Sequence, residues 1–342
     1  MRAENYYPGF KRQMKWGPDD VVGFGVPLEG GDIWYVDGDK STGGAGQSWE
    51  DAFATIQTAV TAASAGDVIY VAGRTITALA TDPVSYAETI IIPNATSNLS
   101  IIGVSRGRSQ GGLPQIKIGA GSTAMLDVRA PGCLIQNIGF NGASSTGGGI
   151  LLTDDGGTAS VAFGTTIAGC HFKNCVGSTA TNAATGGAIM WSATGGAWQT
   201  LISSNRFYKN VGDIVLLGTT SSVPQDVIIQ DNIFSGPAAN VDCNLYLEGG
   251  SGMNGVVIDS NIFQQKPAIS SGTNARYIKA TGCVGMMTRN MFGCLSAEGE
   301  SEVTFQADGT AAFIPTTLHM AGNFGQFSTG VGAGLVSGEI FS

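Results

Sequence analysis

One short motif returns at nearly constant spacing through the second half of this chain, and it limits the available folds more than any other feature. Asn205-Arg206-Phe207, Asn232-Ile233-Phe234, Asn261-Ile262-Phe263 and Asn290-Met291-Phe292 all read Asn-x-Phe. Each follows a short β-type run: Leu201-Ile202, Val227-Ile228-Ile229, Val256-Val257-Ile258 and Val284-Gly285-Met286-Met287. Weaker copies come earlier, as Cys170-His171-Phe172 after Thr166-Ile167 and Asn137-Ile138-Gly139-Phe140 after Leu134-Ile135. Further apolar runs follow the Phe residues, such as Ile214-Val215-Leu216-Leu217 and Leu245-Tyr246-Leu247. Clusters of Gly, Ser, Thr and Asn separate them, which is turn chemistry. A unit of roughly thirty residues with short strands and no helical period buries its apolar side by stacking on its neighbours.

The expected structure is therefore a stack of coils, each made of two or three short strands. Parallel sheets run along the stacking axis, and equivalent positions stand one rung, about 4.8 Å, apart. Inward positions form columns of Phe, Ile and Val. Asn205, Asn232, Asn261 and Asn290 form a structural ladder at a bend, where Asn tolerates left-handed backbone and its amide bonds the next rung. Cys170 takes that slot in an earlier coil.

Composition narrows the function classes. The 342 residues include 52 Gly without a Gly-x-y period, which excludes collagen. Charged residues are 13% and hydrophobic ones 43%, a balance that supports a packed core. Lys and Arg number 17 against 26 Asp and Glu, so the net charge of −9 argues against a nucleic-acid partner. No apolar run reaches the roughly 18–20 residues of a membrane helix. The first residues, MRAENYYPGFKRQMKW, lack the apolar stretch of a secretory signal. Six cysteines, with no Cys-x-x-Cys and only His171 and His319 beside them, predict buried reduced thiols, no metal and no cofactor.

The start of the body carries a family likeness. Ile33-Trp34-Tyr35-Val36-Asp37-Gly38-Asp39 leads through Gly43-Gly44-Ala45-Gly46 to a segment from Ser48 to Gln57, then to Val68-Ile69-Tyr70-Val71. Ser48 and Asp51 are spaced as a capping box, Ala52, Phe53, Ile56, Ala59, Val60 and Ala63 make one apolar face, and Gly66 ends the predicted helix. With the repeat, this segment resembles the right-handed parallel β-helix of the pectin lyase-like superfamily, closest in character to bacteriophage spike and decoration proteins. The resemblance implies an all-β, right-handed, single-stranded parallel β-helix with an N-terminal capping α-helix and a short N-terminal arm. The expected organisation is an arm over 1–31, an opening strand, capping helix and first rung over 32–73, coils over 74–325, and a C-terminal cap or tip over 326–342.

The arm is basic and aromatic on an acidic body. Tyr6, Tyr7, Phe10, Lys11, Arg12, Lys15 and Trp16 are the residues expected to dock on another protein surface. Catalytic carboxylates do not emerge from the coils. Relative to the aligned Phe, Asp231 and Asp259 differ by one position, which places them on opposite faces of a strand. Aligning Leu245-Tyr246-Leu247-Glu248 with Arg276-Tyr277-Ile278-Lys279 predicts a cross-rung ion pair between Glu248 and Lys279. Asp154-Asp155-Gly156-Gly157 reads as a turn, Arg108, Lys117 and Arg129 lack an acid cluster in register, and no residue is assigned as catalytic.

The resulting expectation is a non-enzymatic structural protein of a bacteriophage particle, either a capsid decoration or a spike-like protein. It is expected in the virion after assembly in the host cytoplasm, as a homotrimer docked through its arm to major capsid or tail proteins, with a surface glycan as a further partner. The alternatives are a polysaccharide lyase or hydrolase, or tail-spike depolymerase, and a glycan-binding adhesin anchored by Trp191 and Trp198.

Overall fold

The computed structural model describes residues 31–75, 84–104, 112–119, 123–143, 147–154, 162–177, 186–192, 198–218, 222–236, 243–264, 276–293, 317–327 and 336–339. Their strands form three walls of a parallel β-solenoid. Wall A takes Ile33–Val36, Val68–Ala72, Ser100–Val104, Leu134–Gln136, Thr166–Ala168, Leu201–Ser203, Ile228–Gln230, the ends of Cys243–Asp259 and Arg276–Thr288, and Leu318–Ala321. Wall B takes Tyr86–Ala87, Gln115–Lys117, Gly139–Asn141, His171–Lys173, Arg206–Tyr208, Ile233–Ser235, Ile262–Phe263, Met291–Gly293 and Phe324–Phe327. Wall C takes Ile90–Ile92, Ala124–Val128, Gly148–Thr153, Ile189–Ser192, Ile214–Leu217 and the beginnings of Cys243–Asp259 and Arg276–Thr288. Each coil visits A, then B, then C, and each strand pairs in parallel with its equivalent one coil on.

Strands this short need sharp bends, and the bend from wall A to wall B has a fixed recipe. One residue adopts left-handed backbone: Asn137, Ser204, Asp231, Ser260 and Arg289 have φ between 55° and 57°, and Gly169 and Gly322 take the same place. The next residue is Ile138, Cys170, Asn205, Asn232, Asn261, Asn290 or Asn323. The left-handed conformation therefore belongs to the residue before each ladder Asn, a correction to the expectation drawn from the motif. Ser, Asp and Arg serve there because the bend is solvent-facing and only the backbone is specified.

Inside the coil the columns are regular. Ile69, Ile101, Ile135, Ile167, Ile202, Ile229 and Ile258 stack along wall A, all buried. Phe140, Phe172, Phe207, Phe234, Phe263 and Phe292 stack along wall B, with successive ring centroids 4.9, 5.1, 4.9, 4.6 and 4.8 Å apart. Successive planes are within 11° of parallel, so the rung spacing itself sets the stacking distance. The column ends at Gly325, which stands opposite Phe292.

The N-terminal end of the solenoid is closed by a helix over Ile56–Ala62, which packs on Ile33–Val36, Val68–Ala72 and Ile90–Ile92. Its N-cap is Thr55, whose side chain accepts the Thr58 N–H, while Ser48 accepts the Asp51 N–H in a separate turn. The expected cap at Ser48 is thereby corrected. Two further orphan N–H groups, of Ile56 and Gln57, are taken by the Glu88 carboxylate at 2.9 Å each. Gln57 in turn uses Oε1 to accept the N–H of Ile91 at 2.7 Å, on the terminal strand of wall C. The helix thus answers an edge donor as well as covering apolar side chains. At the other end, Val336–Glu339 pairs antiparallel with Phe324–Phe327 and ends the parallel run of wall B.

Candidate functional site

Two polar systems are locked inside the coil. The first is the asparagine ladder. The backbone N–H and Nδ2 of Asn205 both donate to Asn232 Oδ1, at 2.9 and 3.1 Å. Asn232 does the same to Asn261, Asn261 to Asn290 and Asn290 to Asn323, at 2.9–3.0 Å. Each Nδ2 also donates to a carbonyl of the preceding coil, such as Ile229 O from Asn261 at 2.9 Å. Cys170 N–H donates to Asn205 Oδ1 at 2.9 Å and begins the series. Asn323 is a fifth ladder residue that the motif search passes over, because Phe follows it directly. These amides are fully committed to one another, which makes them structural.

The second system sits where wall B turns into wall C. Asp213 accepts Asn210 Nδ2 at 2.9 Å and Asn244 Nδ2 at 2.8 Å, and Asn210 Oδ1 accepts the Cys175 N–H at 2.9 Å. All of these groups are buried, and Asn244 Oδ1 makes no hydrogen bond. Burial pushes the Asp213 carboxyl up to about 7, with the two amides offsetting only part of the penalty. Sequence reading misses this cluster because it forms once, across neighbouring coils, and has no period.

The outward faces are where a partner or substrate can be met. On wall C, Lys279 stands opposite Tyr246, and Glu248 stands opposite Thr281. The register differs by two residues from the alignment that pairs Glu248 with Lys279. Tyr277 is the cause: it turns inward against Phe263 and Phe292, at 5.7 and 5.2 Å between centroids, and is not the counterpart of Tyr246. Glu248 and Lys279 meet through the Tyr246 hydroxyl instead. Lys279 Nζ donates to it at 2.9 Å and lies 4.3 Å from the ring centre, and the hydroxyl reaches Glu248 Oε2 at 3.3 Å. Farther up wall C, Arg129 binds Asp127 Oδ2 through Nε and Nη2 at 2.9 and 2.6 Å, beside an open depression bordered by Pro93, Asn94 and Ala95. Asp127 Oδ1 is buried and makes no hydrogen bond.

On wall A, Asp259 stands opposite Gln230 and is held by Thr288 and Arg289, while Asp231 occupies the bend. The guanidinium of Arg289 keeps the Asp259 carboxyl below the usual carboxylate range. His171 is buried on wall B and His319 is exposed on wall A. Trp191 is core, and Trp198 is 48% exposed. Among the described residues no three His, Cys, Asp or Glu gather as a metal site. No helix among them is long and apolar enough to cross a membrane. Cys133, Cys170, Cys175, Cys243 and Cys283 are buried thiols, none in a disulfide. Burial raises Cys133, Cys170 and Cys283 to about 12. Tyr6, Tyr7, Phe10, Lys11, Arg12, Lys15, Trp16, Arg108, Asp155 and Cys294 lie outside the described residues.

No family model matches the chain, and no curated protein matches it. Solved structures of related shape are known. The Dettilon tailspike protein (gp208) is 14% identical with a TM-score of 0.37, over 78% of this chain and 57% of its own. Rice weevil pectin methyl esterase is 13% identical with a TM-score of 0.40, over 95% of this chain and 96% of its own. ORF18 of Geobacillus virus E2 is 12% identical with a TM-score of 0.41, over 89% of this chain and 63% of its own. This chain thus spans a little over half of the tailspike and under two thirds of the viral ORF18 structure.

Proposed function

We propose that this chain is a non-enzymatic structural protein of a bacteriophage particle, a spike-like or capsid decoration protein that assembles as a homotrimer of parallel β-helices. The observation that carries the reading is the outward side of wall A. Leu201, Ile228, Val257 and Met286 stand in one register column, one per rung, and none is buried. A rigid rod with an apolar line parallel to its axis suits lateral packing against like rods. The basic, aromatic residues Tyr6 to Trp16 are the proposed docking arm toward capsid or tail proteins, and the proposed location is the virion. Light scattering on the full chain and on a version lacking residues 1–30 tests the assembly. The expected mass is about three times 35.0 kDa for both, and a monomer in both refutes the trimer.

A second reading is a polysaccharide lyase or hydrolase. The observation favouring it is Asp127, whose Oδ2 is held by Arg129, a lining residue of an open depression on wall C, and whose buried Oδ1 makes no hydrogen bond. Release of reducing or unsaturated sugar ends that is lost in Asp127→Asn supports this second reading over the first.

A further inference from the structure

We propose that copies of this chain join through two different surfaces, the outward side of wall A on one copy and the outward side of wall B on the next, over the coils that carry Ile228 to Met291. The inference rests on the self-assembly reading above and names its surface.

Among the described residues of these coils, exposed large apolar side chains form two lines at the same heights, with Val284, 40% exposed, beside the first. On wall A, Ile228 is 36% and Met286 49% exposed, with Val257 between them in register. On wall B, Ile262 is 37% and Met291 55% exposed, and Ile233 stands in register before them. Elsewhere the chain covers this same side of wall A by itself. Over the first rungs, Trp49 and Ala52 from the segment before the helix pack on Tyr35, Val68, Tyr70 and Ile102. Farther along, wall A keeps the apolar line and exposes it.

Charge decides which surface the line meets. Wall A and its bends carry exposed Asp226 and Asp231, together with Asp259 bonded to Arg289. Wall B carries Arg206 one rung before Ile233, in the same column, and Lys209 just beyond the strand, both exposed. A wall A face set against another wall A face brings carboxylates together. Wall A against wall B sets carboxylates against cations and apolar line against apolar line. Because the two walls meet at one corner, each such contact rotates the next copy by a fixed angle. A contact between two unlike surfaces closes into a ring when that rotation divides a full turn, and the trimer proposed above is the case of one third of a turn.

A charge swap read by native mass tests this. Asp226→Lys with Asp231→Lys makes both surfaces basic, and Arg206→Glu with Lys209→Glu makes both acidic. Lys is accommodated at the Asp231 bend, since Arg289 occupies the equivalent place with φ of 56°. Each double variant is expected to dissociate at concentrations at least tenfold above the wild type, and the quadruple variant, with both signs exchanged, to assemble again. Rescue separates a lost contact from a damaged fold. Met286→Glu with Met291→Glu is expected to dissociate the assembly without rescue. A wild-type oligomer that all these variants leave intact, or a quadruple variant that stays dissociated, overturns the surface while self-assembly stands. A monomeric wild type overturns both.

Discussion

Asp213→Asn should make this protein more stable, by an amount that grows with pH. Asp213 is buried at the corner of walls B and C, and its carboxyl moves from 3.8 to about 7 on folding, chiefly through loss of solvent. The folded value lies above the unfolded one, so the folded state favours the protonated acid. That contribution is complete below about pH 4 and is lost as pH rises through about 7. Relative to a side chain that never ionises, the gap corresponds to a cost of about 2 kcal/mol at about pH 5 and about 4 kcal/mol at about pH 8. Asn carries no such cost, and the surroundings accept it. Asn210 keeps its place because its Oδ1 holds the Cys175 N–H. Asn244 can turn over, since its Oδ1 makes no hydrogen bond, and the turned amide offers that oxygen to the new NH2 group. Guanidinium unfolding followed by fluorescence, on wild type and variant across this pH range, reads the difference. The stability of the variant over the wild type should rise by about 2–3 kcal/mol from about pH 5 to about pH 8. A difference that is flat with pH, or one that shrinks, refutes the assignment of a buried, ionisation-penalised acid.

Other perturbations have equally definite outcomes. Asn261→Ala strands the Asn232 N–H and Ile229 O inside the coil, and denaturation should show a loss of about 3 kcal/mol or more. Phe234→Ala opens a gap between Phe207 and Phe263, with an expected loss of about 3–5 kcal/mol, and Phe234→Leu should lose clearly less. Asp67→Ala removes the acceptor shared by Asp32 N, Trp34 Nε1 and Ser64 N, so amide exchange should accelerate in Ile33–Val36 before it does in the central coils. Maleimide labelling with peptide mapping should leave Cys133, Cys170, Cys175, Cys243 and Cys283 unmodified until the coil unfolds, because all five are buried, and burial pushes the thiols of Cys133, Cys170, Cys175 and Cys283 up as well.

What the sequence discloses follows from what repeats. The Asn-x-Phe spacing is enough to place Phe140 through Phe292 in one stack, since each Phe is tied to a bend whose geometry recurs. The motif could not say which residue of the bend takes the left-handed backbone, because Ser204, Asp231, Ser260 and Arg289 share a conformation and no common side-chain type. Nor could it find Asn323, whose neighbour Phe324 stands opposite Met291 while Gly325 holds the Phe slot. The Glu248–Lys279 alignment failed on a likeness between two tyrosines with different jobs, Tyr277 in the core and Tyr246 facing outward. The helix start shifted from Ser48 to Thr55 because both carry the capping hydroxyl, and the choice rests on Glu88, which lies 32 residues beyond Ile56. The Asp213 cluster was invisible since a singular polar group leaves no period to detect.

The ladder also has a consequence for the size of the molecule. Its steps are 27, 29, 29 and 33 residues, yet every step spans the same axial distance and ends on the same amide. Excising residues 233–261 joins Asn232 to Ile262, hands Asn232 to Asn290, and sets Phe207 on Phe263, so the amide and ring columns stay filled, while Asp213 loses its partner Asn244. The rod would shorten by one graduation of about 4.8 Å. Adding or removing a whole coil changes height. The chain is in this sense a ruler, and reach along the axis is a property that insertions and deletions can set in integer steps.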